Sequence, residues 1–85
     1  MDLRDLECFV AIAESGSIAA ASQRLNRVQS GLSTRLKHLE EDLGVELFER
    51  QGRRLALNAQ GIRFPDSARD LLRRAERALH SWQEV

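Results

Sequence analysis

Apolar residues recur in a helical rhythm almost from the start of the chain. Leu3, Leu6, Phe9, Val10 and Ala13 repeat at three- and four-residue spacing, which predicts a helix from about Leu3 to Glu14 with one buried stripe. Asp2 stands where an N-cap is needed. Ser15-Gly16-Ser17 then breaks the rhythm: Gly16 suits the left-handed residue after a helix end, and Ser17 suits the next cap. A short alanine-rich helix follows from Ile18 to Leu25. Ile18, Ala21 and Leu25 form its anchoring stripe, and Ala19, Ala20 and Ala21 permit close packing. After the connector Asn26-Arg27-Val28, a third helix carries Leu32, Leu36 and Leu39 at i, i+4 and i+7, with Leu43 extending the stripe by one turn before Gly44 stops it.

The third helix has a second face. Gln29, Ser30, Ser33, Thr34 and Lys37 lie roughly 120° round from the leucines at 3.6 residues per turn. They are polar, mostly short and free of acid. Short hydroxyls and amides let a helix approach another surface closely, and Gln can pair with a base edge through two hydrogen bonds. Two short helices joined by three residues, the second with such a face, form the helix-turn-helix pattern, with the second helix in a DNA major groove. The plainer reading is an amphipathic helix whose wet side lacks Asp and Glu.

Beyond Gly44 the period changes. Leu47-Phe48 and Leu55-Ala56-Leu57 flank Arg50-Gln51-Gly52-Arg53, and Gly52 marks a turn, so a short two-stranded hairpin is predicted. Its tip carries Arg50, Arg53 and Arg54, which suit phosphate contact or entry into a minor groove; the alternative is a solvated basic loop. Asn58-Ala59-Gln60-Gly61 reads as a cap and first turn. The longest periodic segment follows: Phe64, Ala68, Leu71, Ala75, Ala78 and Trp82, widened by Leu72 and Leu79. Its length and apolar side predict pairing with a second copy in a symmetric dimer, with Trp82 as the large anchor; packing on its own domain is the alternative. Pro65 predicts a kink or a late helix start near Phe64.

Eighty-five residues allow one small core. Thirteen basic and thirteen acidic residues cancel, so charge matters only through its distribution. From Ser15 to Leu39 the charged residues are Arg24, Arg27, Arg35 and Lys37, and from Arg50 to Phe64 they are Arg50, Arg53, Arg54 and Arg63, with no acid in either stretch. Glu40, Glu41, Asp42, Glu46 and Glu49 lie between. Two basic stretches separated by an acidic one predict one positive surface with a negative back. Three acids at the end of the third helix oppose its dipole, and solvation is the simplest reading of them. Cys8 has no internal partner and is expected buried or half-buried. No signal peptide, membrane span, metal-ligand cluster or phosphate loop is evident, and His38 and His80 read as solvated helix residues, so an enzyme is not expected.

Together these segments resemble the DNA-binding domain of LysR-type transcriptional regulators over nearly the whole chain. The match runs through Asp2-Leu3-Arg4-Asp5-Leu6 with Phe9-Val10-Ala11, then Ser15-Gly16-Ser17-Ile18 with Ala20-Ala21 and Arg24-Leu25-Asn26. It is most specific in Gln29-Ser30-Gly31-Leu32-Ser33 and in the run from Leu39 to Arg50, and it ends in Gly52-Arg53-Arg54 and Leu57-Asn58-Ala59-Gln60-Gly61.

The resemblance implies a mainly α fold: a winged helix-turn-helix with a two-stranded wing over residues 1–58 and a long linker (dimerisation) helix over 59–85. It implies a cytoplasmic bacterial regulator that binds an interrupted inverted repeat in promoter DNA as a dimer. Carried over by position, Gln29, Ser30 and Thr34 would face bases, Ser33 would hold phosphate and Arg53 would enter the minor groove. Arg35, Lys37, Arg50 and Arg54 complete the expected DNA-binding set. The dimer seam would comprise Phe64, Ala68, Leu71, Ala75, Ala78, Leu79 and Trp82. The family's usual chain is several times longer, so an inducer would bind an effector domain that this chain lacks; no cofactor is expected here. A tetramer of the full-length protein and contact with RNA polymerase are further partners the resemblance suggests. Many members carry Ser or Thr at position 28, Pro at 30 and Arg at 34, where this chain has Val28, Ser30 and Thr34. Without Arg at 34, Arg35 or Lys37 would have to contribute, or base readout would be weaker. The competing reading is a helical protein–protein module without a DNA role.

Overall fold

The computed structural model describes residues 1–83, with side chains described through residue 78. Asp2 opens helix α1 (Leu3–Ser15) with a reciprocal cap. Its carboxylate accepts the Asp5 N–H at 3.0 Å, while the Asp5 carboxylate accepts the Asp2 N–H at 3.2 Å. Gly16 ends the helix in the left-handed region, at φ 81. Ser17 caps α2 (Ile18–Leu25), its Oγ accepting the Ala20 N–H at 3.0 Å. Asn26, at φ 55 and ψ 48, then turns the chain into α3 (Gln29–Leu43); a short amide side chain tolerates this left-handed conformation better than most. Strands β1 (Phe48–Gln51) and β2 (Arg54–Leu57) pair antiparallel, Gln51 opposite Arg54. The two-residue loop between them places Gly52 at φ 66 in the first central position, the arrangement of a type II′ turn. A single 3-10 turn (Gly61–Arg63) leads into α4 (Pro65–Gln83).

The core gathers around Phe9. Its ring meets Phe48 of β1 at 5.6 Å between centroids and Phe64, just before α4, edge-on at 4.9 Å. One α1 side chain therefore joins the hairpin and the last helix to the first three. Leu6, Ile12, Ala21, Leu32, Leu36, Leu39, Leu47 and Ala68 fill the space around it.

Several expectations need correction. Leu43 does not continue the buried stripe: it is 37 % exposed, because the last turn of α3 runs past the layer that covers Leu39. Phe64 and Ala68 do not belong to an outward seam. Phe64 packs on Phe9, and Ala68 is fully buried within its own domain. Leu79 and Trp82 carry side chains outside the described residues. The acids ending α3 are not merely solvated. Glu40 accepts the Leu47 N–H at 2.7 Å and so tethers the strand entrance, and Asp42 pairs with the Met1 ammonium group.

Pro65 occupies the first position of α4, where its missing N–H is harmless, and the result is a late helix start. Gly61 is required by space alone. A Cβ there would sit 2.0 Å from the Leu47 carbonyl oxygen. Asn58 fixes the same junction: its Oδ1 accepts the Gln60 and Gly61 N–H groups, and its Nδ2 donates to the Glu46 carbonyl at 2.7 Å.

Candidate nucleic-acid interface

Burial of Leu32, Leu36 and Leu39 dictates which way the rest of α3 faces. With that stripe turned inward, Gln29, Ser30, Ser33, Thr34 and Lys37 are all exposed on the outer side of the helix. The hairpin stands beside them. Ser33 and Lys37 of α3 and Arg50 of β1 border one groove of about 750 Å³ between helix and wing. Arg53 sits exposed in the turn at the wing tip. The outward polar stripe and the wing arginines thus lie on neighbouring surfaces, as docking against a groove and its flanking backbone requires.

Two of the expected residues turn their guanidinium groups away from the groove between helix and wing. The Arg35 guanidinium turns toward α1, reaching Asp5 at 3.1 Å and Asp2 at 3.5 Å. Asp5 is only 5 % exposed, so Arg35 serves a carboxylate held at the edge of the core. Arg54 folds back over the α1–α2 turn: a Cβ at Gly16 would meet its guanidinium nitrogen at 2.8 Å. Next to it the Leu55 N–H donates to the Gly16 carbonyl at 2.9 Å, which seats β2 against the helical body.

Charge is likewise redistributed by folding. Arg24 pairs with Glu14 at 2.6 Å and Arg27 with Glu7 at 3.1 Å, so acids from α1 neutralise three of the four cations in the first basic stretch. Lys37, Arg50 and Arg53 form no ion pair among the described residues. Arg4, Arg54, Arg63 and Arg77 form none among them either, so unpaired positive charge lies on α3 and the wing and also on α1, the 3-10 turn and α4. Glu40, Glu46 and Glu49 line the same groove as Lys37 and Arg50, so the surface is mixed there.

Glu14 also accepts from Arg69 at 2.7 Å and so ties α1 to both α2 and α4; hydrogen bonds from Arg24 and then Arg69 hold its carboxyl below the usual range. Burial pushes the Cys8 thiol up, and the proximity of Arg27 only partly offsets it, so Cys8 is a packing residue. Among the described residues no His, Cys, Asp and Glu side chains cluster to hold a metal ion, and no helix is long and apolar enough to cross a membrane.

One exposed residue of this face was not among the expected DNA-binding residues: Val28, which reads in the sequence as part of a connector and as a departure from the family's Ser or Thr at that position. It heads α3, makes no capping hydrogen bond, and is 72 % exposed. A branched apolar side chain in the N-cap position is the signal that marks it.

The model of the bacterial regulatory helix-turn-helix proteins of the lysR family matches residues 3–62. The transcriptional regulator TfdT of Cupriavidus pinatubonensis is 42 % identical over 78 residues, which are 92 % of this chain and 34 % of that protein. ClcR of Pseudomonas putida is 46 % identical over 72 residues, 85 % of this chain and 24 % of that protein. The chain thus spans about a third or less of these relatives. The crystal structure of the CbnR_DBD–DNA complex superposes with a TM-score of 0.90 at 39 % identity, covering 99 % of this chain and 97 % of that one.

Proposed function

The chain belongs to the lysR family of bacterial regulatory helix-turn-helix proteins, and from that premise we propose that it reads promoter DNA as the winged helix-turn-helix end of a dimeric transcription regulator. The observation that carries this reading is the outward stripe of α3 beside a wing whose Arg50 and Arg53 are free of ion pairs among the described residues. α3 enters the major groove. There Gln29 makes a two-bond contact to a base edge, Ser30 and Thr34 face bases, Ser33 and Lys37 hold phosphate, and Arg53 reaches the adjacent minor groove. Arg35 and Arg54 act through the fold rather than through DNA.

Residues 1–58 form the DNA-reading unit and residues 59–85 the linker. A twin copy packs against α4 from Leu71 onward, through Leu71, Ala75 and Ala78, and so sets the spacing of two half-sites in an inverted repeat. Leu71 is 48 % exposed on a helix whose first turn is already covered, and that exposure supports the pairing. In the full-length regulator an inducer binds the effector domain, the assembly is a tetramer in the cytoplasm, and RNA polymerase is the downstream partner.

The test is binding to duplexes selected from a random pool, titrated with salt. Affinity falls steeply with salt because Lys and Arg displace condensed counterions. Gln29→Ala lowers the discrimination between selected and random duplex by ~1–3 kcal/mol. A flat salt response, or equal weakening on both duplexes, counts against the assigned roles.

A further inference from the structure

We propose that Val28 reads thymine: its isopropyl group and the Thr34 side chain form an apolar notch over Gly31 that takes the 5-methyl group of a thymine in the major groove. The inference rests on the DNA-binding reading above and goes beyond it by naming a base and a residue. Val28 is 72 % exposed, more than any other large apolar side chain among the described residues. It also occupies the N-cap of α3, where Val is among the poorest choices, and it leaves the first turn without a side-chain acceptor. Its Cγ2 leans along the helix, 3.6 Å from where a Gly31 Cβ would stand. Gly31 keeps that space open. Val28, Ser30, Gly31, Thr34, Arg35 and His38 line one shallow depression of about 420 Å³, the Arg35 guanidinium being engaged by Asp5 and Asp2.

Thr34 sharpens the choice of base. Its hydroxyl donates to the Ser30 carbonyl at 2.9 Å. The single hydroxyl proton is therefore committed to the helix, and what the exposed Thr34 side chain has left to offer a base is its methyl group and lone pairs. Guanine offers only acceptors on its major-groove edge and needs a donor, whereas thymine carries the only methyl group there. A notch built from an isopropyl group, a threonine methyl and a bare glycine fits the latter.

The test replaces each thymine of a selected duplex, one at a time, with uracil, which removes the methyl group and leaves base pairing and the minor groove unchanged. With the full chain, one position per half-site weakens binding about three- to fivefold, the worth of one buried methyl group. Val28→Ser supplies a better cap, so it melts at the same temperature or higher by circular dichroism, and it binds thymine and uracil duplexes equally. Uracil without effect at every position overturns the inference and leaves the DNA-binding reading intact. Full uracil sensitivity in Val28→Ser also overturns it, since another residue then holds the methyl group. Failure to bind any selected duplex overturns both.

Discussion

Leu32, Leu36 and Leu39 of α3 are all buried inside the domain, whereas on α4 the apolar stripe leaves the domain after about two turns. Ala68 is fully buried, Leu71 is 48 % exposed, and Ala78 is open to solvent. α3 carries leucines, and α4 leucines and alanines, at three- and four-residue spacing, so periodicity does not separate them. What separates them is position relative to Phe9. α3 crosses the body beside α1, while α4, entered from Phe64, packs on it through Ala68 and Leu72 and is tied to it by Arg69 before running on. A buried stripe stabilises the fold of one chain; a stripe that outruns its core is left for another surface.

The largest expected effect breaks this contrast most directly. Leu32→Ala removes a fully buried side chain and costs ~2–5 kcal/mol in urea unfolding. Leu71→Ala changes the stability of the monomer fold by less than about 0.5 kcal/mol. The Leu71 variant instead shifts sedimentation toward monomer at a concentration where the parent pairs. Equal destabilisation by the two, with no change in assembly, would place Leu71 in its own core.

A second contrast lies between two arginines. Arg35→Ala strips a partner from the nearly buried Asp5 and destabilises the fold by about 1–3 kcal/mol, between the values for exposed and buried pairs, without altering the salt slope of DNA binding. Arg53→Ala leaves the melting temperature in place and lowers the magnitude of that slope by about one. Exchanged outcomes would mean that Arg35 meets DNA and Arg53 does not.

The smallest effect concerns the clamp between α1 and α4. Glu14→Gln lowers stability by about 0.5–1 kcal/mol at neutral pH, as expected for a partly exposed ion pair. The folded state holds the Glu14 carboxyl below its ordinary value of 4.5, so its contribution is full above that value and fades as pH falls through the folded one. Parent and variant should therefore converge in acid. A gap that persists unchanged at pH 3 would show that packing of the Glu14 stem, not its charge, is what counts.

The limits of α1 and α2, their caps at Asp2 and Ser17, the Gly44 stop and the hairpin turn at Gly52 were legible in the chain because each depends on residues within a few positions of one another. So was the outward stripe of α3, since burying three leucines fixes the opposite side. The pairings were not legible. Arg24, Arg27 and Arg35 read as a basic stretch until α1 is laid against them and its acids take them up one by one. Glu40 read as a solvated acid until the strand entrance supplied the Leu47 N–H.

The sequence by itself determined the succession of helices and turns and the inward face of α3, because local sterics, capping and periodicity act over a turn or two. Only the tertiary structure decided which arginines stay free, where the stripe of α4 ceases to be core, why Gly61 can carry no side chain, and how far Val28 is exposed at the head of α3. Those outcomes depend on distances between segments far apart along the chain, such as the approach of Leu47 to Gly61 or of Glu14 to Arg69, and no local pattern encodes them.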